Sequence, residues 1–307
     1  MSSARSGLVC VVGSLNDDTT LRVEALPAPG ETTLTTGPRL SSPGGKGANQ
    51  AAAAAVLGAD LGCRVAMVGA VGDDEPGERS LAALTAAGVD VSRVARRADD
   101  GTGIAVITVD AAGENTIVVD AGANDTVAAE EAASAVADLA PAVVVLQLEV
   151  PVPAVAAAAR AATGGGLVVL NPAPMPADAG GVRELLGAVD VLVPNRGELG
   201  RLAGRPEPTS AAEVTDCVAA LDFAGSVVVT LGADGALCFE KGVERGADPV
   251  AVDGERVDTV DASGAGDVFC GCLAAGLAAG EPLVDAVRRA NAAAAASTTH
   301  HGARLTV

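Results

Sequence analysis

The chain has no tryptophan and no tyrosine, and phenylalanine occurs only at Phe223, Phe239 and Phe269. A core for 307 residues must then be built from Ala, Val and Leu, and no set of rings is available as a stacking platform for bases. Basic charge is also scarce. Lys46 and Lys241 are the only lysines, and the net charge is −19. A protein that grips phosphate backbones needs a basic face, so nucleic acid is not an expected partner. The only histidines are His300 and His301, and none of the six cysteines forms a CxxC pair. This excludes the usual zinc spacings and reads as small buried thiols in a reducing compartment. No apolar run approaches the ~20 residues of a membrane span. Leu8–Val12 is too brief for the core of a secretion signal and reads better as a strand. A cytoplasmic protein that does not bind membranes is expected.

What the sequence does have is periodic apolar structure: 49% hydrophobic and 19% charged residues, enough for a large folded core. Short β-branched runs are expected as strands at Leu8–Val12, Arg64–Val68, Ala142–Leu146, Leu167–Leu170, Val189–Val193 and Ser226–Leu231. Between them, helices are expected at Ala48–Leu57, Gly77–Ala87, Thr126–Leu139, Val152–Ala162, Gly181–Leu186, Ala211–Leu221, Val268–Ala279 and Leu283–Thr298. This alternation predicts an α/β protein with a mostly parallel sheet covered on both faces. Two stretches break the rhythm. Residues 20–41 carry Pro27, Pro29 and a Thr-rich run, and residues 103–120 alternate as two strands about Gly113. They are expected to form a small β-sheet suited to be a lid that keeps water from the site. Ordinary surface hairpins are the alternative.

The most informative segment is Asp261-Ala-Ser-Gly-Ala-Gly-Asp267, directly before a helical run. Small residues at a helix N-terminus let backbone N–H groups approach an anion. Plain anion binding would not favour an aspartate there. A base that takes a proton from an attacking hydroxyl would, and that is the layout of a phosphoryl-transfer site. A simple helix cap fits the string equally well.

Four other clusters lie at strand ends or helix starts. Gly13-Ser-Leu-Asn-Asp-Asp18 follows the first strand and offers oxygens to sugar hydroxyls, or is a polar turn. It lacks GxGxxG, which removes the main support for a nicotinamide site. Gly44-Gly-Lys-Gly-Ala-Asn49 precedes an Ala-rich helix and is not a P-loop: Leu40 stands where that motif needs its first Gly, and Gly47 follows Lys46. Pro194-Asn-Arg-Gly-Glu198 places Asn195 and Glu198 on one face of a first helical turn, where they could hold a hydrated Mg2+ or act as a cap. Thr230-Leu-Gly-Ala-Asp-Gly235 is a strand end with turn glycines.

In order and spacing these five clusters resemble the ribokinase (PfkB) family of carbohydrate kinases, from Val9 to Thr306. Ala121-Gly-Ala-Asn124, Gln147-Leu-Glu149 and Asn171-Pro-Ala-Pro174 resemble that family as well. The resemblance implies one ribokinase-like domain over residues 1–307, a three-layer α/β/α sandwich whose lid is formed by about 17–43 and 101–122. It implies an ATP-dependent kinase acting on the 5-hydroxyl of D-ribose, or alternatively on deoxyribose, fructose or a nucleoside. It implies Asp267 as the base. Asn16, Asp17, Asp18, Gly44, Gly45, Lys46, Gly47, Asn49 and Glu149 would bind the sugar. Asn195, Thr230, Leu231, Gly232, Ala233, Asp234, Gly235 and Asn291 would bind ATP, with Gly264, Ala265 and Gly266 as the anion hole. Glu198 would act on Mg2+ through water. Asp261, Ser263, Ser297, His300, Gly302 and Thr306 would hold an activating K+. A homodimer through the lid is implied. Arg196-Gly197 is an unusual pair for the family at that position, and the glycine weakens the helix start by up to ~1 kcal/mol.

Overall fold

Leu8–Val12 is apolar on both faces, so this strand must be covered on both sides. In the computed structural model, which describes residues 7–162, 165–242, 248–300 and 302, it is central to a nine-stranded sheet. The strands of that sheet are β1 (Leu8–Val12), β4 (Arg64–Gly72), β5 (Val89–Arg97), β8 (Val143–Leu146), β9 (Leu167–Leu170), β10 (Val191–Leu192), β11 (Ser226–Thr230), β12 (Gly235–Phe239) and β13 (Val250–Asp253). Their order is β13-β12-β11-β10-β9-β8-β1-β4-β5. Neighbours pair in parallel except at β11–β12 and β12–β13.

The helices are α1 (Lys46–Gly58), α2 (Glu75–Ala86), α3 (Ala129–Leu139), α4 (Val152–Ala161), α5 (Gly180–Leu185), α6 (Arg196–Ala203), α7 (Ala211–Ala220), α8 (Ala265–Ala278) and α9 (Leu283–Ser297). The strand period of two divides the core. Val9 and Val11 join a cluster with residues of α1, α8 and α9, while Cys10 and Val12 join one with residues of α3, α4, α6 and α7. Helix, sheet and helix thus form three layers, as the alternation predicts.

Several boundaries move. Val189–Val193 contracts to the two residues of β10, and Thr126–Leu139 starts at Ala129. The helix expected from Val268 begins at Ala265, so Asp267 sits inside its first turn rather than ahead of it. Three strands of this nine-stranded sheet were not expected. β5 carries Arg93, Arg96 and Arg97 at the sheet edge, and β12 and β13 are short strands whose pairing becomes visible only across the sheet.

The second sheet, β3-β2-β6-β7, contains β2 (Asn16–Arg22), β3 (Leu40–Gly44), β6 (Gly103–Val109) and β7 (Asn115–Asp120). The pair about Gly113 forms as expected. Residues 23–39 hold only one bridge, Val23 to Thr35, so the extended reading of 20–41 is met mainly at its ends. Asp74 ties the two sheets together. It caps α2 through the Gly77 N–H (2.9 Å) and accepts from the Thr102 N–H (2.8 Å) and hydroxyl (2.6 Å) where the chain enters β6.

Candidate active site

Two glycines bring the catalytic candidates together. A Cβ on Gly47 would lie 2.6 Å from the Ser14 nitrogen, so only glycine lets α1 start this close to the end of β1. A Cβ on Gly271 would lie 2.4 Å from the Gln50 carbonyl, so α8 presses directly on α1. Asp267 is one turn before Gly271 on the same face and therefore meets the first turn of α1. Asn49 Nδ2 donates to its Oδ2 (3.1 Å) and Gln50 Nε2 to its Oδ1 (2.9 Å).

Asp267 is only 7% exposed. Burial pushes its carboxyl above the ordinary range, against the pull of Lys46 and of the two amides. Burial alone would lower Lys46, but the carboxylates of Asp267, Glu149 and Glu198 outweigh it and hold the ammonium above its ordinary value. Glu149 accepts from the Ser14 hydroxyl (2.5 Å) and the Lys46 N–H (2.9 Å), placing a negative charge at the positive end of α1. Gly45 precedes that helix with φ 88, a left-handed conformation suited to glycine.

Asn16, Asp17 and Asp18, read as oxygens beyond the first strand or as a polar turn, open β2. Alternation then puts Asn16 and Asp18 on one face and Asp17 on the other. Asn124 fixes Asn16 by donating to its Oδ1 (2.8 Å), and is itself pinned to the Leu15 N–H (2.9 Å) and carbonyl (3.1 Å). Asp18 lies against Gly44, where a Cβ would come within 1.9 Å of its carboxylate. Asp17 instead takes Arg79 (2.9 Å) and the Ser41 hydroxyl (2.8 Å), so the structure does not bring it together with the other two.

Beyond the carboxyl ends of the central strands, where open α/β sheets bind ligands, two cavities adjoin. The larger, about 640 Å3, is lined by Thr230, Gly232, Ala233 and Gly235, by Ala265, Gly266 and Phe269 of α8, and by Asn291 of α9. Leu231 and Asp234 share that turn but do not line the cavity; Asp234 pairs with Arg196 (3.1 Å). Asn291 is positioned by donating to the Asp253 carbonyl (2.9 Å). The smaller cavity, about 150 Å3, is lined by Lys46, Asn171, Asn195, Glu198, Gly264, Asp267 and Cys270. Thr230 and Gly266 line both. Gly264 caps α8 with φ 73 and brings the start of that helix to the cavity junction, with the Ala265 N–H bonded to the Ala262 carbonyl (3.3 Å).

Asn195 and Glu198 meet the cap reading of their motif. They form a reciprocal cap, with each side chain accepting the other's backbone N–H at 2.8 Å, and both line the smaller cavity. Burial pushes the Glu198 carboxyl up, against the pull of the Asn195 N–H, Lys46 and Arg201.

The candidate cation residues converge in part. Asp261 accepts from the Ser263 N–H (2.9 Å) and the Gly302 N–H (3.0 Å), and its own N–H bonds the Thr298 carbonyl (3.0 Å) beside Ser297. His300 is exposed, with Nδ1 2.9 Å from the Thr299 hydroxyl. Thr306 lies outside the described residues.

Sequence reasoning missed Gln50, Asn124, Asn171 and Arg256, all of which contact or line this region. Gln50 directly follows Asn49, Asn124 closes one of the quoted motifs and Asn171 opens another, so membership of a motif or adjacency to one was the available signal. Arg256 had none.

Comparison with known proteins agrees with the geometry. The chain matches the profile described as pfkB family carbohydrate kinase over residues 6–307. It is 34% identical to a ribokinase of Haemophilus influenzae, covering 97% of this chain and 94% of that one. It is 33% identical to a deoxyribokinase of Salmonella typhi, covering 96% and 93%. The structure of Arabidopsis thaliana ribokinase complexed with ribose and ATP superposes with a TM-score of 0.82 at 31% identity, covering 98% of this chain and 95% of that chain.

Proposed function

Because this chain belongs to the pfkB family of carbohydrate kinases, we propose that it transfers the terminal phosphate of ATP to the 5-hydroxyl of D-ribose, giving ribose 5-phosphate. The observation that carries this reading is the Asp267 carboxylate. It is held by two amides in the first turn of a helix, beside a lysine and at the edge of a nucleotide-sized cavity. In this reading the sugar lies between Asn16, Asp18 and Asn49, with Lys46 and Glu149 at its margin. ATP lies in the larger cavity against the 230–235 turn, and its terminal phosphate reaches the Gly264–Gly266 amides. Asp267 takes the hydroxyl proton, the oxygen attacks in line, and amides and Lys46 face the charge as it moves. The second sheet closes over the sugar and excludes water, the competing acceptor.

The residues present fit the two cations that such an enzyme uses. Glu198 is a buried carboxylate pushed up by desolvation, a charge that a hydrated divalent ion would compensate. Mg2+ bound there with the nucleotide would supply charge neutralisation on the phosphate oxygens. The Asp261 carboxylate, whose oxygens accept the Ser263 and Gly302 N–H groups, is the hard oxygen ligand that would hold K+ there. The protein is proposed to work in the cytoplasm as a homodimer formed through its second sheet.

The kinship to a deoxyribokinase favours one other acceptor, 2-deoxy-D-ribose. A coupled ADP-release assay with Mg-ATP on ribose, deoxyribose, fructose and adenosine, with and without K+, tests the reading. The expected result is the highest kcat/KM on D-ribose, with K+ raising it. Absence of turnover on every acceptor would overturn it, and preference for deoxyribose would replace the substrate. Asp267→Asn is expected to lower kcat by about 10²–10⁴-fold while ribose still binds by calorimetry.

A further inference from the structure

Asp267 is held from behind by Gln50, which rests on two further side chains that no part of the mechanism above uses. Gln50 is fully buried on α1. Its Nε2 donates to Asp267 Oδ1 (2.9 Å) and reaches Asn171 Oδ1 (3.3 Å), while its Oε1 accepts from Gln147 Nε2 (2.7 Å). Gln147 directly follows the last residue of β8, and Asn171 the last residue of β9; Asn171 in turn donates to the Val193 carbonyl (3.0 Å). The base is therefore tied through one amide to the ends of two central strands.

The direction of these bonds follows from charge. A carboxylate only accepts, so Gln50 must turn its NH2 toward Asp267 and its carbonyl toward Gln147. Gln147 must then offer its own NH2, which leaves its Oε1 on the far side. That atom is buried and has no partner. It is wedged against Gly13, where a Cβ would come within 1.8 Å of it. An unpaired buried carbonyl costs stability, and here it is the end of a chain of orientations that begins at the charge on Asp267.

We propose that Gln147 and Gln50 form a positioning relay in which Gln147, without touching substrate or base, orients the Gln50 amide that holds the Asp267 carboxylate ready to take the sugar proton. The inference rests on the assignment of Asp267 as the base. Removing the relay takes a donor from the ionised form, so the carboxylate becomes easier to protonate and the acid limb of activity moves to higher pH. A purely structural role would lower activity without moving that limb.

The test is the pH dependence of kcat on D-ribose for the parent, Gln50→Leu, Gln147→Leu and the double variant, with Asp267→Asn as control. Gln50→Leu is expected to lower kcat roughly ten- to hundredfold and to raise the limb by about one pH unit. KM for ribose should change by less than about threefold, since no sugar contact is removed. Gln147→Leu should move the limb the same way by less, and the double variant no further than Gln50→Leu alone, because both act on one bond. If Gln50→Leu does not fold, Gln147→Leu carries the test, because its leucine also removes the unpaired carbonyl. An unmoved limb in the folded variants, or independent additive shifts, overturns the relay. Near-normal turnover in Asp267→Asn would instead remove the base assignment itself.

Discussion

In the role proposed for it Asp267 must be ionised to act, yet burial disfavours its charge. Protonation on acidification therefore begins at a higher pH than for an exposed aspartate, near ~4. The acid limb of kcat should lie above that value, and a limb at or below it would argue against the base role. The sign for stability follows from the same shift. A carboxyl raised in the folded state stabilises the fold when protonated, and that contribution is lost as pH rises through its folded-state value. Gly264 is a second sensitive residue. Its φ of 73 is left-handed, and an alanine there costs about 1–2 kcal/mol. Gly264→Ala should therefore lower the urea midpoint and also kcat, since the start of α8 that lines the cavity would shift.

At the scale of elements, α1 and α8 meet at Gly271, and the second sheet meets the first through Asp74. Asp74→Ala removes a helix cap and two bonds to Thr102, and should cost about 2 kcal/mol in urea unfolding. It should also raise KM for the sugar more than for ATP, because the bonds it loses hold the entrance to β6. The sequence made much of this legible. β1 and β9 fall at their expected residues because continuous apolar runs read directly as buried strands. β5 did not, because its arginines at the sheet edge look like a polar loop. Asn16 and Asp18 were recognised, but their strand was not. Gly13, Ser14 and a run of Asn and Asp read as a polar turn, and the pairing that makes β2 a strand comes from residues twenty or more positions away. Gln50 was hidden for the same reason: its partners lie at positions 147, 171 and 267, and only the fold makes them neighbours.

Across the whole molecule, the second sheet leaves apolar surface uncovered. Every residue of β7 is exposed, with Ile117 at 56%, Val118 at 70% and Val119 at 50%. Such a strand is a template for a second copy, which is the basis for the proposed dimer. Val118→Lys should yield monomers by light scattering and raise KM for the sugar, while the thermal transition of the large sheet is retained. With a net charge of −19, the copies repel each other, so added salt should favour association in the parent.

With its side chains in water on both sides, the 115–120 segment is held by little besides its ladder to β6. Such a ribbon opens at small cost, and its amides should trade hydrogen for deuterium sooner than those of β1 or β8. If a second copy covers it, that exchange slows as protein concentration rises, and the cover over the sugar stiffens with it. Dilution would then act on this enzyme as a mild inhibitor, with no other molecule involved.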